Sequence, residues 1–527
     1  MQTTHAAEPT AHERLLRTAF DPATFRSDGE RMLGSLAGYL DAALRGEGAV
    51  LPVRDPQTML ARWTPDWGNT GDSGGPERSA TLAALTAKLL VDATQLHHAG
   101  FVGHQVAPPL PLAALCDLAA DLLNNGMAVY EMGQAGTAME LHVVRWMCQT
   151  LGFGAGAGGV LTSGGTLATL TALLAMRQAR AGWDVWSDGN AGGPRPAVLV
   201  GAHAHYCADR AVRIMGWGGG GLITVPVDER FRMRADLLPE ALARATADGR
   251  RVLGVIASAC STATGAFDPL EPIADFCDHH ALWMHVDGAH GAALALSPRH
   301  RAVLHGIERA DSVIWDAHKM LLQPALVTGV LFRDQRHAAG AFAQDASYLL
   351  DPASDEGWYD LASRTFECTK RMMSFKLYAT LAAYGPALFD AYVTTVVDRA
   401  TEFAALISQQ PDFELAVEPH EHRRFPRAAR GIHRQYRRTR RAAGPRAPKC
   451  DRTRGLLPRA DAAAWRALVA HHADGPVHHS RAARHPARAD QGGGRPVPLT
   501  PSASLCDDGS PRCCDRCRAS ATTPPNA

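Results

Sequence analysis

Two short apolar runs, each ending in an aspartate, constrain the fold of this chain more than any other feature. Residues 282–287 end at Asp287 and are followed by small residues, and residues 311–316 end at Asp316 and lead to Lys319. Short β-rich segments that end in a charged residue and then turn are typical of parallel strands in an α/β sheet, whose carboxyl ends meet at one edge. We therefore expect an acid and a lysine on the same rim of a mainly parallel sheet.

The combination of Asp287 and Lys319 matches the needs of one cofactor, pyridoxal 5'-phosphate. A lysine amine holds the cofactor's aldehyde as a Schiff base, and a carboxylate keeps the pyridine nitrogen protonated so that the ring accepts electrons. An opposite charge within a few ångström raises the pKa of a base by about 1 to 3 units, so Asp287 favours the protonated ring. The sequence thus indicates Lys319 as the Schiff-base residue and Asp287 as the partner of the ring nitrogen.

A glycine-rich turn within residues 158–166 indicates a phosphate site. It follows a strand-like apolar segment and precedes an amphipathic helical pattern over residues 167–179. Backbone N–H groups and a hydroxyl at the positive end of a helix dipole can bind a phosphate dianion. A lone Gly-Gly-Thr is an ordinary turn more often than not, but its place at a helix start upstream of the lysine favours the cofactor interpretation.

Four motifs in this order resemble a known family. They are the glycine-rich turn, the segment around His205, His-Val-Asp-x-Ala at residues 285–289 and Asp-x-His-Lys at residues 316–319. Together they resemble the pyridoxal-phosphate-dependent group II amino-acid decarboxylases, which include glutamate, aromatic-amino-acid and diaminobutyrate decarboxylases. The resemblance runs from about residue 101 to about residue 385. It implies an α/β large domain of the PLP-dependent transferase type (aspartate aminotransferase fold type I).

The resemblance also implies which residues hold the cofactor. It places Gly164, Gly165 and Thr166 at the phosphate, His205 stacked on the pyridine ring, Thr262 at the ring oxygen, Asp287 at the ring nitrogen, Ala289 beneath the ring, and Asp316, His318 and Lys319 at the lysine end. Two positions depart from the family pattern, because Cys207 stands where serine is common and Cys260 stands where glycine is common. The first departure is mild, and the second narrows the loop that carries Thr262.

A tyrosine 29 residues after the lysine completes the expected catalytic set. Tyr348 resembles the family's mobile-loop tyrosine, which reaches a neighbouring active site and protonates the substrate carbon after carbon dioxide leaves. The alternative is an ordinary exposed loop aromatic. With Lys319, His205, Asp287 and Tyr348 as catalytic residues, we predict decarboxylation of an L-amino acid to an amine through a Lys319 Schiff base. A carbon–carbon lyase, an aminotransferase and an inactive frame-damaged product stay open as alternatives.

Composition is ordinary for a soluble globular protein, which we expect in the cytoplasm, and the family resemblance implies a role in amino-acid metabolism. Of the 527 residues 46% are apolar and 20% charged, and no apolar run reaches the roughly 18 residues of a membrane helix. Six cysteines scattered through the first 420 residues fit reduced thiols.

The resemblance implies a homodimer with the active site at the subunit interface, clasped by N-terminal helices; helices that pack on their own domain are the alternative. We expect no metal, nucleic-acid or membrane partner.

The charge distribution divides the chain. Residues 421–527 carry 22 Arg and Lys against 8 acids, whereas residues 1–420 carry 32 against 45. We expect an N-terminal helical segment at 1–95, a cofactor-binding large domain at 96–395, the start of a small C-terminal domain at 396–420, and an Arg-rich aberrant or disordered tail at 421–527. That small domain is then incomplete, because the tail has too few large apolar residues for a packed lobe.

Three explanations of the tail compete. The first is a basic tail that binds nucleic acid, but the tail lacks the interleaved aromatic residues of a nucleic-acid-binding module. Its cysteines Cys506, Cys513, Cys514 and Cys517 do not form two Cys-x-x-Cys pairs, as a zinc site would require. A reading-frame error in a GC-rich gene is favoured, because such codons read out of frame give mostly Arg, Pro, Ala, Gly, His and Cys.

Overall fold

One seven-stranded sheet carries the predicted acid and lysine positions. The computed structural model describes residues 8–65, 76–102, 104–342, 359–418 and 424–427. The strands are β1 (Gly158–Thr162), β2 (Arg195–Gly201), β3 (Leu222–Val225), β4 (Arg250–Ser258), β5 (Trp283–Asp287), β6 (Ser312–Asp316) and β7 (Thr328–Phe332). Their order is β1-β7-β6-β5-β4-β2-β3, with β7 antiparallel to both of its neighbours and the remaining pairs parallel. The predicted α/β fold with a mainly parallel sheet is confirmed.

Helices cover both faces of the sheet, and further helices precede the first strand and follow the last strand of the sheet along the chain. They are α1 (Ala11–Ala19), α2 (Pro22–Leu44), α3 (Pro56–Arg62), α4 (Pro76–Asp92), α5 (Pro111–Leu123), α6 (Gln134–Thr150), α7 (Gly165–Arg180), α8 (Val185–Asp188), α9 (Cys207–Ile214), α10 (Leu238–Ala247), α11 (Leu270–His280), α12 (Arg336–Gly340), α13 (Ser374–Tyr384) and α14 (Ala387–Ser408). Two large apolar clusters result, one on each face of the sheet. The first includes residues of α6, α10 and α11, and the second includes residues of α7 and α9.

The central strands are continuous apolar runs because both of their faces are covered. All five residues of β6 are buried, as are the first four of β5. Strands buried on both faces do not alternate between apolar and polar residues. Since β5 and β6 are parallel neighbours with Asp287 opposite Ile314, their terminal acids emerge at the same edge.

The N-terminal segment is helical, as the apolar spacing predicts. Thr10 caps α1 through a reciprocal capping box with Glu13, and Asp21 caps α2 ahead of Pro22. Such caps satisfy N–H groups that a helix start would leave without partners. Of the 23 residues in α2 only Ala43 is buried, so these helices bury little apolar surface within this chain.

The described chain ends in a small antiparallel pair of strands. The sequence places a boundary between the large domain and the small C-terminal domain at residues 395–396, and helix α14 continues through these residues. The division into these two domains remains a prediction. After α14, β8 (Glu414–Glu418) pairs with β9 (Arg424–Arg427), and β9 lies within the segment assigned from the sequence to the tail. The other residues after 418, including the tail cysteines, and Tyr348 lie outside the described residues.

Candidate active site

Backbone hydrogen bonds around Ala289 hold two strand-end aspartates together. The Ala289 N–H donates to Asp287 Oδ1 at 3.2 Å, and the Ala289 carbonyl oxygen accepts from the backbone N–H of Asp316 at 3.1 Å. This turn therefore fixes the carboxyl ends of β5 and β6 relative to each other. The small side chain expected beneath the cofactor ring lies at the join between the two acids.

Lys319 lies beside the second of these acids. Its Nζ is 3.0 Å from Asp316 Oδ2, while Asp316 Oδ1 accepts the Thr328 hydroxyl at 2.6 Å. Asp316 is buried, and Thr328 is the first residue of β7, so neighbouring strands orient the carboxylate that holds the amine. His318 is also close, with Nε2 3.6 Å from Asp316 Oδ2 and Nδ1 2.9 Å from the Val327 carbonyl oxygen.

Asp287 is electrostatically unlike Asp316. Burial raises the pKa of Asp287; the Ala289 N–H lowers it, the charge of Asp316 raises it, and the charges of Lys319 and His205 lower it. Asp287 therefore lies in one local field with Asp316, Lys319 and His205. Because no cation forms an ion pair with Asp287 among the described residues, its charged form gains from a positive group placed next to it.

His205 approaches the same site from the loop after β2. Its Nδ1 accepts the backbone N–H of Cys207 at 3.3 Å, so the neutral ring carries its hydrogen on Nε2. Burial lowers the pKa of His205, and the charge of Asp287 opposes that effect. The loop is anchored because the Cys207 sulfur lies 3.5 Å from the Thr169 hydroxyl of α7. The serine-to-cysteine departure thus leaves the His205 position supported.

The glycine-rich turn lies at the start of α7, next to Asp316. Gly164 has φ +130° and ψ 161°, a conformation that residues with a side chain rarely adopt. A Cβ on Gly165 would lie 3.3 Å from Asp316 Oδ1, so glycine lets the turn approach the acid closely. A cavity of about 360 Å³ adjoins the turn, and its lining includes Ser163, Gly164, Gly165, Thr166, Arg210 and His318.

Thr262, the residue expected at the ring oxygen, is held through its backbone carbonyl oxygen. It is exposed in the loop after β4, and its carbonyl oxygen accepts from Gln105 Nε2 at 3.0 Å. In the described part of the chain, no hydrogen bond joins its hydroxyl to Asp287 or Lys319. Burial raises the pKa of the Cys260 thiol in the same loop, and the charges of Asp287 and Lys319 also act on it. A ring-oxygen contact for Thr262 remains a prediction.

Two charged residues near the site are not evident from local sequence patterns. Glu140 and Lys370 form a buried ion pair behind β1, although 230 residues separate them. The one feature of the sequence that could have drawn attention to Glu140 is that an acid stands on the apolar face of α6, where Thr137, Val143 and Val144 are also buried. No comparable pattern marks Lys370.

The described residues fit pyridoxal phosphate. A half-buried carboxylate without a close cation suits a ring nitrogen, a lysine amine lies near it, and a glycine turn at a helix N-terminus borders a cavity. These three features lie at one edge of the sheet.

Comparisons with known proteins agree with this assignment. Residues 104–423 match the pyridoxal-dependent decarboxylase conserved domain. The chain is 31% identical over 357 residues to L-2,4-diaminobutyrate decarboxylase of Acinetobacter baumannii, a match that covers 64% of this chain and 69% of that protein. It is 28% identical over 344 residues to aromatic-L-amino-acid decarboxylase of Bacillus atrophaeus, covering 65% and 70%.

Solved structures give the same result. Mouse CSAD in its apo form superposes with a TM-score of 0.69 at 25% identity, covering 76% of this chain and 82% of that one. TDC of Oryza sativa, solved with PLP and tryptamine, gives 0.68 at 25% identity with the same coverage. The chain therefore belongs to the pyridoxal-dependent decarboxylase family and is a PLP-dependent amino-acid carboxy-lyase.

Proposed function

We propose that this chain decarboxylates an L-amino acid with Lys319 as its cofactor-binding lysine. The observation that carries the assignment is the placement of Asp287 and the Lys319–Asp316 pair at the carboxyl ends of adjacent parallel strands. Pyridoxal phosphate, when bound, supplies an aldehyde that joins the substrate amine and a cationic ring that accepts the electron pair released with carbon dioxide. The remaining chemistry belongs to the side chains.

Lys319 is set apart from the other lysines of the described residues. Lys88 of α4 donates to the Arg62 carbonyl oxygen, Lys370 is paired with Glu140, and Lys376 lies between Asp117 and the Pro324 carbonyl oxygen. Only Lys319 in this set adjoins the strand-end acids. Asp316 orients its Nζ through this contact, so the carboxylate positions the amine for an incoming substrate.

Asp287 would act on the nitrogen of the cofactor ring, and His205 would stack on the face of the ring. Asp287 provides a half-buried negative charge for a cationic nitrogen, which favours the electron-accepting form of the ring. His205 is held by the Cys207 N–H with Nε2 as the remaining donor, which can face the substrate carboxylate. Burial lowers the pKa of His205 and so favours the neutral imidazole, a flat surface suited to stacking on an aromatic ring.

The glycine turn would hold the phosphate. N–H groups at the start of α7 lie at the positive end of its dipole, and Thr166 adds a hydroxyl. Tyr348 is proposed, on the family resemblance alone, as the donor that protonates the substrate carbon.

The cofactor assignment is tested by trapping the adduct. Borohydride reduction of the protein after incubation with pyridoxal phosphate should attach the cofactor covalently to the peptide that contains Lys319, as read by mass spectrometry. Lys319→Ala should lose both the adduct and carbon dioxide release, while Lys88→Ala, on a distant helix, should keep both. A reducible adduct that persists in Lys319→Ala contradicts the assignment.

The same protein tests the substrate class. Relatives of this chain are named for L-2,4-diaminobutyrate, aromatic and acidic amino acids, so a panel of these three classes is the starting point. Release of carbon dioxide with formation of the matching amine is expected for at least one class. Formation of a keto acid instead of an amine would indicate an aminotransferase.

We further propose a homodimer, supported by the N-terminal helices. Large apolar side chains there are exposed in the single chain, including Leu15, Leu16, Phe20 (82%) and Leu60 (75%). An apolar surface of this kind is costly in water and suits a second copy of the same segment. Light scattering should give twice 56.3 kDa for the wild-type chain. Leu16→Asp with Phe20→Asp should shift the mass toward one chain, whereas Leu406→Asp, at an exposed leucine of α14, should not.

We propose a cytoplasmic location on the basis of the thiols. The six cysteines of the described residues are free, and burial raises the pKa of Cys148, Cys207 and Cys277 to about 12 each. Free thiols are usual in reducing compartments. Within the described ranges, no helix is both long and apolar enough to span a membrane. Fractionation of the source cells, with detection of this chain in the soluble fraction, tests the location.

A further inference from the structure

We propose that Lys370 and Glu140 form a clamp that positions the glycine turn for the cofactor phosphate. The inference rests on the proposed function of that turn, and it assigns positioning roles to two residues behind the sheet. Neither residue lines the cavity next to the turn. Their effect passes through the backbone of Leu161, which lies three residues before Gly164.

The clamp holds both backbone polar groups of one residue. Glu140 Oε1 accepts the Leu161 N–H at 2.9 Å, and Lys370 Nζ donates to the Leu161 carbonyl oxygen at 2.6 Å. Lys370 Nζ also donates to the same Glu140 oxygen, which closes the arrangement. The two side chains are 2% and 1% exposed, so water does not compete for these bonds.

An edge strand explains why such a clamp is needed. Strand β1 pairs with β7 on one side and lies at the end of the sheet on the other. Alternate residues of an edge strand point their N–H and C=O groups away from the sheet, and burying those groups without partners is costly. Leu161 is such a residue, because its N–H and C=O bond to Glu140 and Lys370 rather than to β7. The clamp replaces a missing neighbouring strand.

A second contact from the same segment reaches the turn itself. The Ser163 hydroxyl donates to Glu367 Oε1 at 3.1 Å, three residues before Lys370. The Lys370 carbonyl oxygen also accepts the Met127 N–H at 3.0 Å, which fixes the segment to the loop after α5. Residues 367–370 therefore bind the chain at Leu161 and at Ser163, on either side of Thr162. The start of the turn cannot shift without breaking one of these bonds.

Phosphate binding at backbone N–H groups depends on their direction, because hydrogen bonds weaken steeply as their angle departs from linear. A turn released at Leu161 would lose aligned donors for the phosphate but would leave Asp287 at the end of β5, and Lys319 three residues after β6, unchanged. Loss of the clamp should therefore weaken binding of pyridoxal phosphate while sparing pyridoxal, which has the same aldehyde and ring nitrogen but no phosphate.

The test uses variants that remove the clamp without leaving a buried charge unpaired. Glu140→Gln with Lys370→Met keeps an acceptor for the Leu161 N–H but removes the donor to its carbonyl oxygen. In the full chain, the dissociation constant for pyridoxal phosphate should rise roughly tenfold and that for pyridoxal by less than about twofold. Lys370→Arg retains a donor and should restore most of the affinity for the phosphorylated form.

Lys376→Met is the matched control. Lys376 is a buried lysine six residues further on that pairs with Asp117 on α5 and does not touch β1. This variant should lose stability without changing the ratio of the two dissociation constants. If the double variant changes both constants equally, or neither, the clamp has no role in phosphate positioning.

Hydrogen exchange decides the question without the cofactor. In the protein free of pyridoxal phosphate, the double variant should exchange the amides of residues 161–166 faster than wild type, while those of β5 remain unchanged. Unchanged exchange at Leu161 overturns the clamp. A wild-type chain that traps no cofactor at Lys319 would refute the proposed function, and the exchange measurement would still decide this inference.

Discussion

His285, two residues before Asp287 on β5, should make the stability of the fold depend on pH. It is fully buried, with Nδ1 2.8 Å from the Ser312 hydroxyl oxygen, which also accepts the Trp283 indole N–H at 2.8 Å. Nε2 finds no hydrogen-bond partner within the described ranges. Burial lowers the pKa of His285 to about 4 from 6.5, although a hydrogen bond with the Ser312 backbone acts in the opposite direction.

The sign follows from proton binding in the two states. Between about pH 6.5 and 4 the unfolded chain binds a proton at His285 and the folded chain does not. The folded state therefore loses stability as pH falls through this window, and it loses none from this residue above it. The full shift corresponds to about 3 kcal/mol, of which about 2 kcal/mol should be lost between pH 7.5 and pH 5.

The assay compares His285→Asn with wild type. Asparagine places an amide near the position of Nδ1, so it can keep the bond to Ser312 without titrating. Urea unfolding at about pH 7.5 and pH 5 gives the free energy of unfolding of each protein, and only the change in their difference matters. The advantage of wild type over the variant should shrink by about 2 kcal/mol at the lower pH.

An exposed histidine provides the control. His12→Asn on α1 removes one titrating group without affecting the core. If the difference between wild type and His285→Asn stays constant across pH, or grows as pH falls, the buried neutral imidazole is not the cause of acid sensitivity.

The remaining predictions concern the site and the tail. Asp287→Asn should bind the cofactor yet lose about 10²-fold or more in decarboxylation rate; a variant that keeps over about a tenth of the rate contradicts the ring-nitrogen role. Tyr348→Phe should still release carbon dioxide but give aldehyde by-products, and clean amine formation would refute its role as proton donor. A thiol reagent should modify exposed Cys368 in the native chain and buried Cys207 only after unfolding. Sequencing the encoding DNA should reveal another frame after Pro419 that encodes an apolar, foldable domain; its absence would make the basic tail a genuine feature.

Features encoded by short sequence runs could be predicted well. The strands ending at Asp287 and Asp316 and the helix beginning at Gly165 depend on local apolar spacing and on one terminal polar or glycine residue. The four-residue strand Leu222–Val225 is too short to show a period, and the sequence did not indicate it.

Features that join distant segments could not be predicted. Glu140 and Lys370 meet only because α6 and the segment before α13 both pack behind β1, and no local pattern encodes that meeting. For Thr262, by contrast, the sequence supplied a role but not a position. The family resemblance supplied its role, but the path of the loop after β4 determines where its hydroxyl lies, and that loop departs from the family pattern at Cys260.

The way the fold treats its buried acids separates structural from functional carboxylates. Glu140 is paired with Lys370, and Asp268 accepts two backbone N–H groups at 2.7 Å, although burial still raises its pKa to about 6. Asp287 has neither arrangement within the described ranges: no cationic nitrogen lies within 4.0 Å of its carboxylate, and its one backbone donor is at 3.2 Å. A half-buried acid that the described residues leave without a compensating cation disfavours the folded state unless another molecule supplies the positive charge. If Asp287 holds the cofactor's ring nitrogen, as proposed, the cofactor would supply that charge, and the residue that weakens the protein alone would strengthen its hold on the cofactor.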